Sequence, residues 1–115
     1  MRYLDKGLAI LLVINATGHT LGVLRYYHGQ PDALFWSLTA TVLILLLAAI
    51  NLLRAARPGD RALAWITTGA NGAYAVVVAA FGLYLVHNPF DPRAVVLTLV
   101  SLGLMAFSLR TALAR

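Results

Sequence analysis

The chain contains no cysteine and no glutamate, and only thirteen of its 115 residues carry a formal charge. Without cysteine there is no disulfide and no thiolate metal site, and the redox compartment leaves no mark. Without glutamate the acidic side chains reduce to four aspartates, Asp5, Asp32, Asp60 and Asp91. The scarcity of charge excludes more still. At 61% hydrophobic and 11% charged residues, with a mean hydropathy of +0.82, the chain has too little polar surface for a small soluble domain. The net charge of +5 and pI near 10.3 do not point to nucleic acid, because the basic residues sit at the ends of apolar runs rather than along one stripe. Anionic lipid headgroups are the nearer partner.

What the chain has is four uncharged runs: Gly7 to Leu24, Ala33 to Leu53, Ala62 to Val86 and Ala94 to Leu109, with every charge outside them. A charge at the centre of a bilayer costs ~2.5 to 3.5 kcal/mol on insertion scales, so this exclusion is what lipid selects. A helix crossing the hydrocarbon needs about 20 residues. Three runs reach that range. The fourth does so if Arg110 snorkels to the headgroups and the helix continues to Leu113. The expectation is an all-α, four-transmembrane-helix bundle in one integral membrane domain, residues 1–115, with spans near 7–26, 33–53, 62–86 and 93–113. No Ala-x-Ala cleavage site follows the first run, which therefore reads as a span rather than a removed leader.

Charge also sets an orientation. Four spans put the N-terminus, the central loop and the C-terminus on one side, with Arg2, Lys6, Arg54, Arg57, Arg61, Arg110 and Arg115; the other side has only Arg25 and Arg93. The positive-inside rule makes both termini cytoplasmic, as in a multi-pass protein of a bacterial inner membrane. Trp36, Tyr84 and Phe90 then fall at the outer interface, and Trp65 and Tyr3 at the inner one. Each aspartate precedes an apolar run and reads as a helix N-cap, with Pro92 in the first helical position after Asp91. Pro58-Gly59 and Asn88-Pro89 supply turns. If all four carboxylates cap helices, none remains for the membrane interior, which argues against a carrier driven by a buried acid.

The halves 1–57 and 58–115 share features of a repeated hairpin. Asp5-Lys6-Gly7-Leu8-Ala9 matches Asp60-Arg61-Ala62-Leu63-Ala64, and His28-x-x-x-Asp32 matches His87-x-x-x-Asp91. Two parallel copies imply an approximate two-fold axis along the membrane normal. Helix starts and loops impose similar residues on any hairpin, so coincidence explains the same match.

Inside the spans, polar and small residues recur at helical spacing: Asn15, Gly18, His19, Gly22 and Tyr26; Ser37, Thr41, Ala48 and Asn51; Thr67, Asn71, Tyr74 and Ala75; Thr98, Ser101, Met105 and Ser108. Each face suits a bundle interior. At ~1.5 Å per residue from the inner run ends, Asn15, Asn71 and Ser101 lie ~12 to 13.5 Å deep, and His19, Thr41 and Tyr74 ~18 Å. Two adjacent polar layers are predicted, forming an interior cluster of Asn15, His19, Thr41, Asn71, Tyr74 and Ser101. His19 serves either as a proton relay or acid/base oriented by Tyr74, or as a neutral histidine bonded between helices. Haem would require a facing histidine, supplied only by a second copy of His19, and no cofactor is expected. An outer metal site from His28, Asp32, His87 and Asp91 is a further arrangement, if the hairpins pack as a pseudo-two-fold pair.

The stretch Gly18-His19-Thr20-Leu21-Gly22, in the first span of a four-span chain of this size, resembles uncharacterised small bacterial integral membrane proteins carrying Gly-His-Thr-x-Gly, a family that implies no activity. Size and span count are also similar to those of small multidrug-resistance transporters. Those rely on a membrane glutamate in the first helix, where this chain has Asn15 and His19. Three function classes follow: a non-catalytic packing, scaffold or partner-binding subunit, with a homodimer among the options; a binder or carrier of a small lipophilic molecule such as a quinone, isoprenoid or cationic amphiphile; and a membrane enzyme using His19.

Overall fold

Each uncharged run forms the centre of one helix, because an apolar run without charge or proline leaves the backbone no partner as good as its own next turn. The computed structural model describes residues 2–114. Its helices are α1 (Arg2–Tyr26), α2 (Pro31–Ala56), α3 (Arg61–Ala80) and α4 (Pro92–Leu113), with no strand among the described residues. All four are long and apolar enough to cross a membrane, α3 being extended by one wide π-helical turn, Phe81–Leu85. As expected for the short fourth run, α4 continues past Arg110 to Leu113.

The helix ends divide the aspartates into two pairs. Asp60 caps α3, its Oδ1 accepting the Leu63 N–H at 2.9 Å, and Asp91 caps α4, accepting the Arg93 N–H at 3.0 Å. The expectation that Asp5 and Asp32 do the same is corrected. Helix α1 begins before Asp5, and α2 begins at Pro31, with Gln30 in the capping position making no side-chain bond. Asp32 still lies in the first turn, where its charge complements the helix dipole. The residues matched between the two halves thus differ in role: Asp60 caps a helix where Asp5 sits inside one, and Asp91 caps a helix where Asp32 does not.

The helices form two antiparallel hairpins, α1 with α2 and α3 with α4. Helix α2 also borders α3, and α4 closes the ring against α1, so α1 and α3 stand on a diagonal with no Cα of one within 8 Å of a Cα of the other. The bundle measures 51 × 24 × 21 Å. Its core is a column of Ala9, Leu12, Ala16, Ile44, Leu47, Ala48, Val78, Val100 and Leu104. On α2 every buried residue lies from Ile44 onward, and the half nearer the α1–α2 loop has none. A close approach of α4 to α1, where a Cβ on Gly103 would stand 3.0 Å from Leu8 Cδ1, involves the first turns of α1 at that same end. The hairpins are therefore fastened together at the end holding the α2–α3 loop.

The π-helical turn closes the other end of the α3–α4 hairpin. Val86 donates to the Phe81 carbonyl, and the Asn88 N–H returns to the Gly82 carbonyl at 2.9 Å, with His87 between them in a left-handed conformation at φ 56°. Gly82 is required sterically, since a Cβ there would lie 2.9 Å from Ala94 Cβ on α4. Gly82→Val is expected to destabilise the fold by about 1 to 3 kcal/mol through overpacking. Gly59→Val, where a Cβ meets open space, should change stability far less. Thermal unfolding in detergent micelles compares the two.

Candidate functional site

Arg54 follows the apolar run of α2, in the last turn of the helix, and is the largest fully buried side chain among the described residues, at 1% exposure. An unpaired guanidinium could not remain there. Asp5 of α1, 8% exposed, meets it in a two-pronged ion pair: Nη1 donates to Oδ2 at 2.8 Å and Nη2 to Oδ1 at 2.5 Å. The planar fork of arginine matches both oxygens of a carboxylate at once, so the pair fixes orientation as well as distance.

A chain of polar groups extends from it. Arg54 Nη2 also reaches Asn51 Oδ1 at 3.4 Å, and Nη1 reaches the Thr111 hydroxyl of α4 at 3.4 Å. Asn51 and Asn71 of α3, both fully buried, exchange amide hydrogen bonds in both directions at 2.9 and 3.0 Å. Asn71 donates onward to the Ser108 hydroxyl of α4 at 3.1 Å. One network thus holds a side chain from every helix. Ser108, Thr111, Thr67, Thr68 and Ser101 each donate their hydroxyl to the carbonyl four residues earlier, which leaves few of these donors free. Arg54 Nε is the one buried side-chain polar atom without a partner among the described residues.

Among the described residues, no hydrogen bond joins any two of the six residues predicted to cluster. Asn71 and Ser101 are buried, but Asn71 joins Asn51 and Ser108, while Ser101 bonds only to the Leu97 carbonyl. His19 and Tyr74 stand on diagonal helices with their Cα atoms more than 8 Å apart, and His19 Nε2 instead lies 3.0 Å from the Ser37 carbonyl on α2. Thr41 bonds to Thr20 at 3.0 Å, and Tyr74 packs in the core. Asn15 is half-exposed. The reason is a rotation of α1. Its buried stripe is Asp5, Ala9, Leu12, Ala16 and Val23, which turns Gly18 and Gly22 outward and leaves Asn15 at the edge.

The outer constellation likewise does not assemble. No three His, Asp, Glu or Cys side chains among the described residues group closely enough to hold a metal ion, so His28, Asp32, His87 and Asp91 form no such site. Asp91 instead engages Arg93, whose side-chain hydrogen bond holds the Asp91 carboxyl below its usual range.

Two shallow cavities stand out among the described residues. One, of about 230 Å³, lies between the ends of α3 and α4 and is lined by apolar side chains with Thr98. The other, of about 220 Å³, opens over the ion pair and is lined by Arg2, Asp5, Pro58, Phe107, Arg110, Thr111 and Ala114. Neither contains His19 or Tyr74.

Sequence reasoning missed Asp5, Arg54, Asn51 and Ser108 as one unit. Asn51 and Arg54 stand three residues apart on one face of α2, which was the available signal. Asp5 carried none, since its partner is 49 positions away. No protein-family model, curated protein or solved structure matches the chain.

Replacing Arg54 or Asp5 alone with Ala should cost about 3 to 5 kcal/mol, because each leaves a buried charge unpaired. Combining Arg54→Met with Asp5→Leu should recover most of that loss. Denaturant unfolding of the three variants in micelles measures the difference, and equal losses in all three would contradict a buried charge as the cause.

Proposed function

We propose that this protein is a non-catalytic integral membrane subunit, a packing or scaffold element that binds a partner helix, in a bacterial inner membrane with both termini cytoplasmic. The observation that carries the reading is the disposition of polar groups. Inside the bundle they are used on one another: the amide pair, the ion pair and the hydroxyls bonded to their own helices leave no free set arranged around a cavity. On the outside of α1 the reverse holds. The exposed Thr17 bonds back to the carbonyl of Val13, but the half-buried Asn15 side-chain amide makes no hydrogen bond among the described residues.

An amide at hydrocarbon depth finds no partner in lipid. Beside it, Gly18 and Gly22 present bare backbone with open space above them. A second helix laid on this face can approach closely and satisfy Asn15, a contact worth ~0.6 to 2 kcal/mol per side-chain bond. A second copy of the chain is the simplest such partner.

Binding of a lipophilic molecule near His19 and Tyr74 is favoured less, because the two residues sit on diagonal helices and neither lines a described cavity. Catalysis by His19 is favoured less again, since its Nε2 is engaged by a backbone carbonyl. The seven-to-two excess of basic residues supports the orientation.

Two measurements test these points. Asn15→Leu should lower dimer yield in membrane crosslinking several-fold while His19→Ala leaves it within about twofold, as expected when one helix-to-helix hydrogen bond is lost. A chain that remains monomeric at every protein-to-lipid ratio, and copurifies with no other membrane protein, contradicts the partner-binding reading. Because the chain has no cysteine of its own, Gly59→Cys and Gln30→Cys report topology directly. An impermeant thiol reagent added to whole cells should label the second and spare the first.

A further inference from the structure

The cavity over the Arg54–Asp5 pair is amphipathic and rich in donors. Its acidic member is already neutralised, because both Asp5 oxygens accept from Arg54. The Thr111 hydroxyl donates to the Phe107 carbonyl and accepts from Arg54. Nearby backbone acceptors at the end of α4 are also occupied: the Ala112 carbonyl takes Arg61 Nε at 3.1 Å, and the Arg110 carbonyl takes the Ala114 N–H at 3.1 Å.

Arg2 and Arg110 line the same cavity and are exposed. Neither has a carboxylate within ion-pair distance among the described residues, where the pairs are Arg54 with Asp5 and Arg93 with Asp91. With the Arg54 charge cancelled by Asp5, the rim holds two positive charges and an excess of unengaged N–H donors. Pro58, Phe107 and Ala114 complete the wall with apolar surface. At about 220 Å³ the space falls short of the ~300 Å³ or more that encloses a whole drug-sized ligand, and suits a compact anionic group.

We propose that this cavity is a binding site for a phosphate anion, held between the guanidinium groups of Arg2 and Arg110, and that its source is the headgroup of an anionic phospholipid. Guanidinium recognises phosphate oxygens through paired hydrogen bonds. The position suits a headgroup, since the cavity lies at the end of four helices long enough to span the hydrocarbon, with the apolar ring of Phe107 in its wall. The occupant would tie the start of α1 to the end of α4, reinforcing the end where the hairpins are joined. The site requires only that the helices cross a membrane, and stands whether or not the chain binds a partner helix.

The test uses the full-length protein in neutral detergent, titrated separately with phosphatidylglycerol, phosphatidylcholine and inorganic phosphate, and read by native mass spectrometry and thermal shift. Phosphatidylglycerol should bind and raise the melting temperature, while phosphatidylcholine should not. Arg2→Gln and Arg110→Gln should each weaken binding about fivefold, the effect of one basic side chain at a lipid surface. Arg57→Gln removes equal charge from the same end at an exposed position outside the cavity, and should change affinity by less than about twofold. Saturable binding of inorganic phosphate that Arg110→Gln abolishes, with no preference for phosphatidylglycerol, supports the phosphate site and assigns it a soluble source. The proposal is overturned if neither anion binds, or if Arg57→Gln weakens binding as much as Arg110→Gln. Since Arg2 and Arg110 are exposed, their variants should keep the wild-type circular dichroism. If they do not, Arg2→Lys and Arg110→Lys, which preserve charge but not the paired geometry, take their place, and undiminished binding in both overturns the assignment.

Discussion

The structure depends on what is done with one buried arginine. Arg54 lies on the core side of α2, where a lone guanidinium would destabilise any folded arrangement, and only a side chain carried in from another helix can neutralise it. Asp5 does so from α1, and the guanidinium's two Nη groups also reach Thr111 and Asn51. The Asn51–Asn71 pair then crosses between hairpins, and Ser108 ends the chain of bonds on α4. An apolar seam tolerates sliding and rotation, whereas paired amides and a forked ion pair allow one register. The network therefore specifies which of the possible four-helix packings is adopted.

The network also makes the molecule asymmetric along its length. At the Asp5–Arg54 end all four helices are joined. Toward the opposite end, α1 and α2 pair through Thr20, Thr41, His19 and Ser37, and α3 and α4 meet across Gly82 and Ala94. No hydrogen bond between side chains of different hairpins is present there among the described residues. His19 accordingly acts within one hairpin. A site at the joined end, with its basic rim, sits on the most constrained part of the fold.

Much of this was legible without coordinates. The four spans followed from the exclusion of charge, and the extension of α4 past Arg110 followed from the length a bilayer demands. Asp60 and Asp91 were readable as caps because a capping bond is local, three residues or fewer away. Asp5 looked the same in sequence and is not the same, since its position relative to the helix start depends on how far α1 extends before it. On α3 the expected interior face, Thr67, Asn71, Tyr74 and Ala75, is buried, and on α4 Ser101 and Ser108 are buried while Thr98 and Met105 lie at the edge. On α1 the face differs: Ala9, Leu12 and Ala16 pack inward, not its glycines and asparagine.

The sequence by itself determined the number, length and apolar character of the helices, because these are set by local composition and by the thickness of hydrocarbon a helix must match. Only the tertiary structure decided which face of each helix turns inward and which charges meet. Depth along a span can be counted from the chain, but azimuth cannot. A helix with polar or small residues on two sides has two nearly equivalent inward faces until its neighbours choose one. For α1 the choice was made by Arg54, 49 positions away from Asp5, whose charge could be buried only with that aspartate turned toward it.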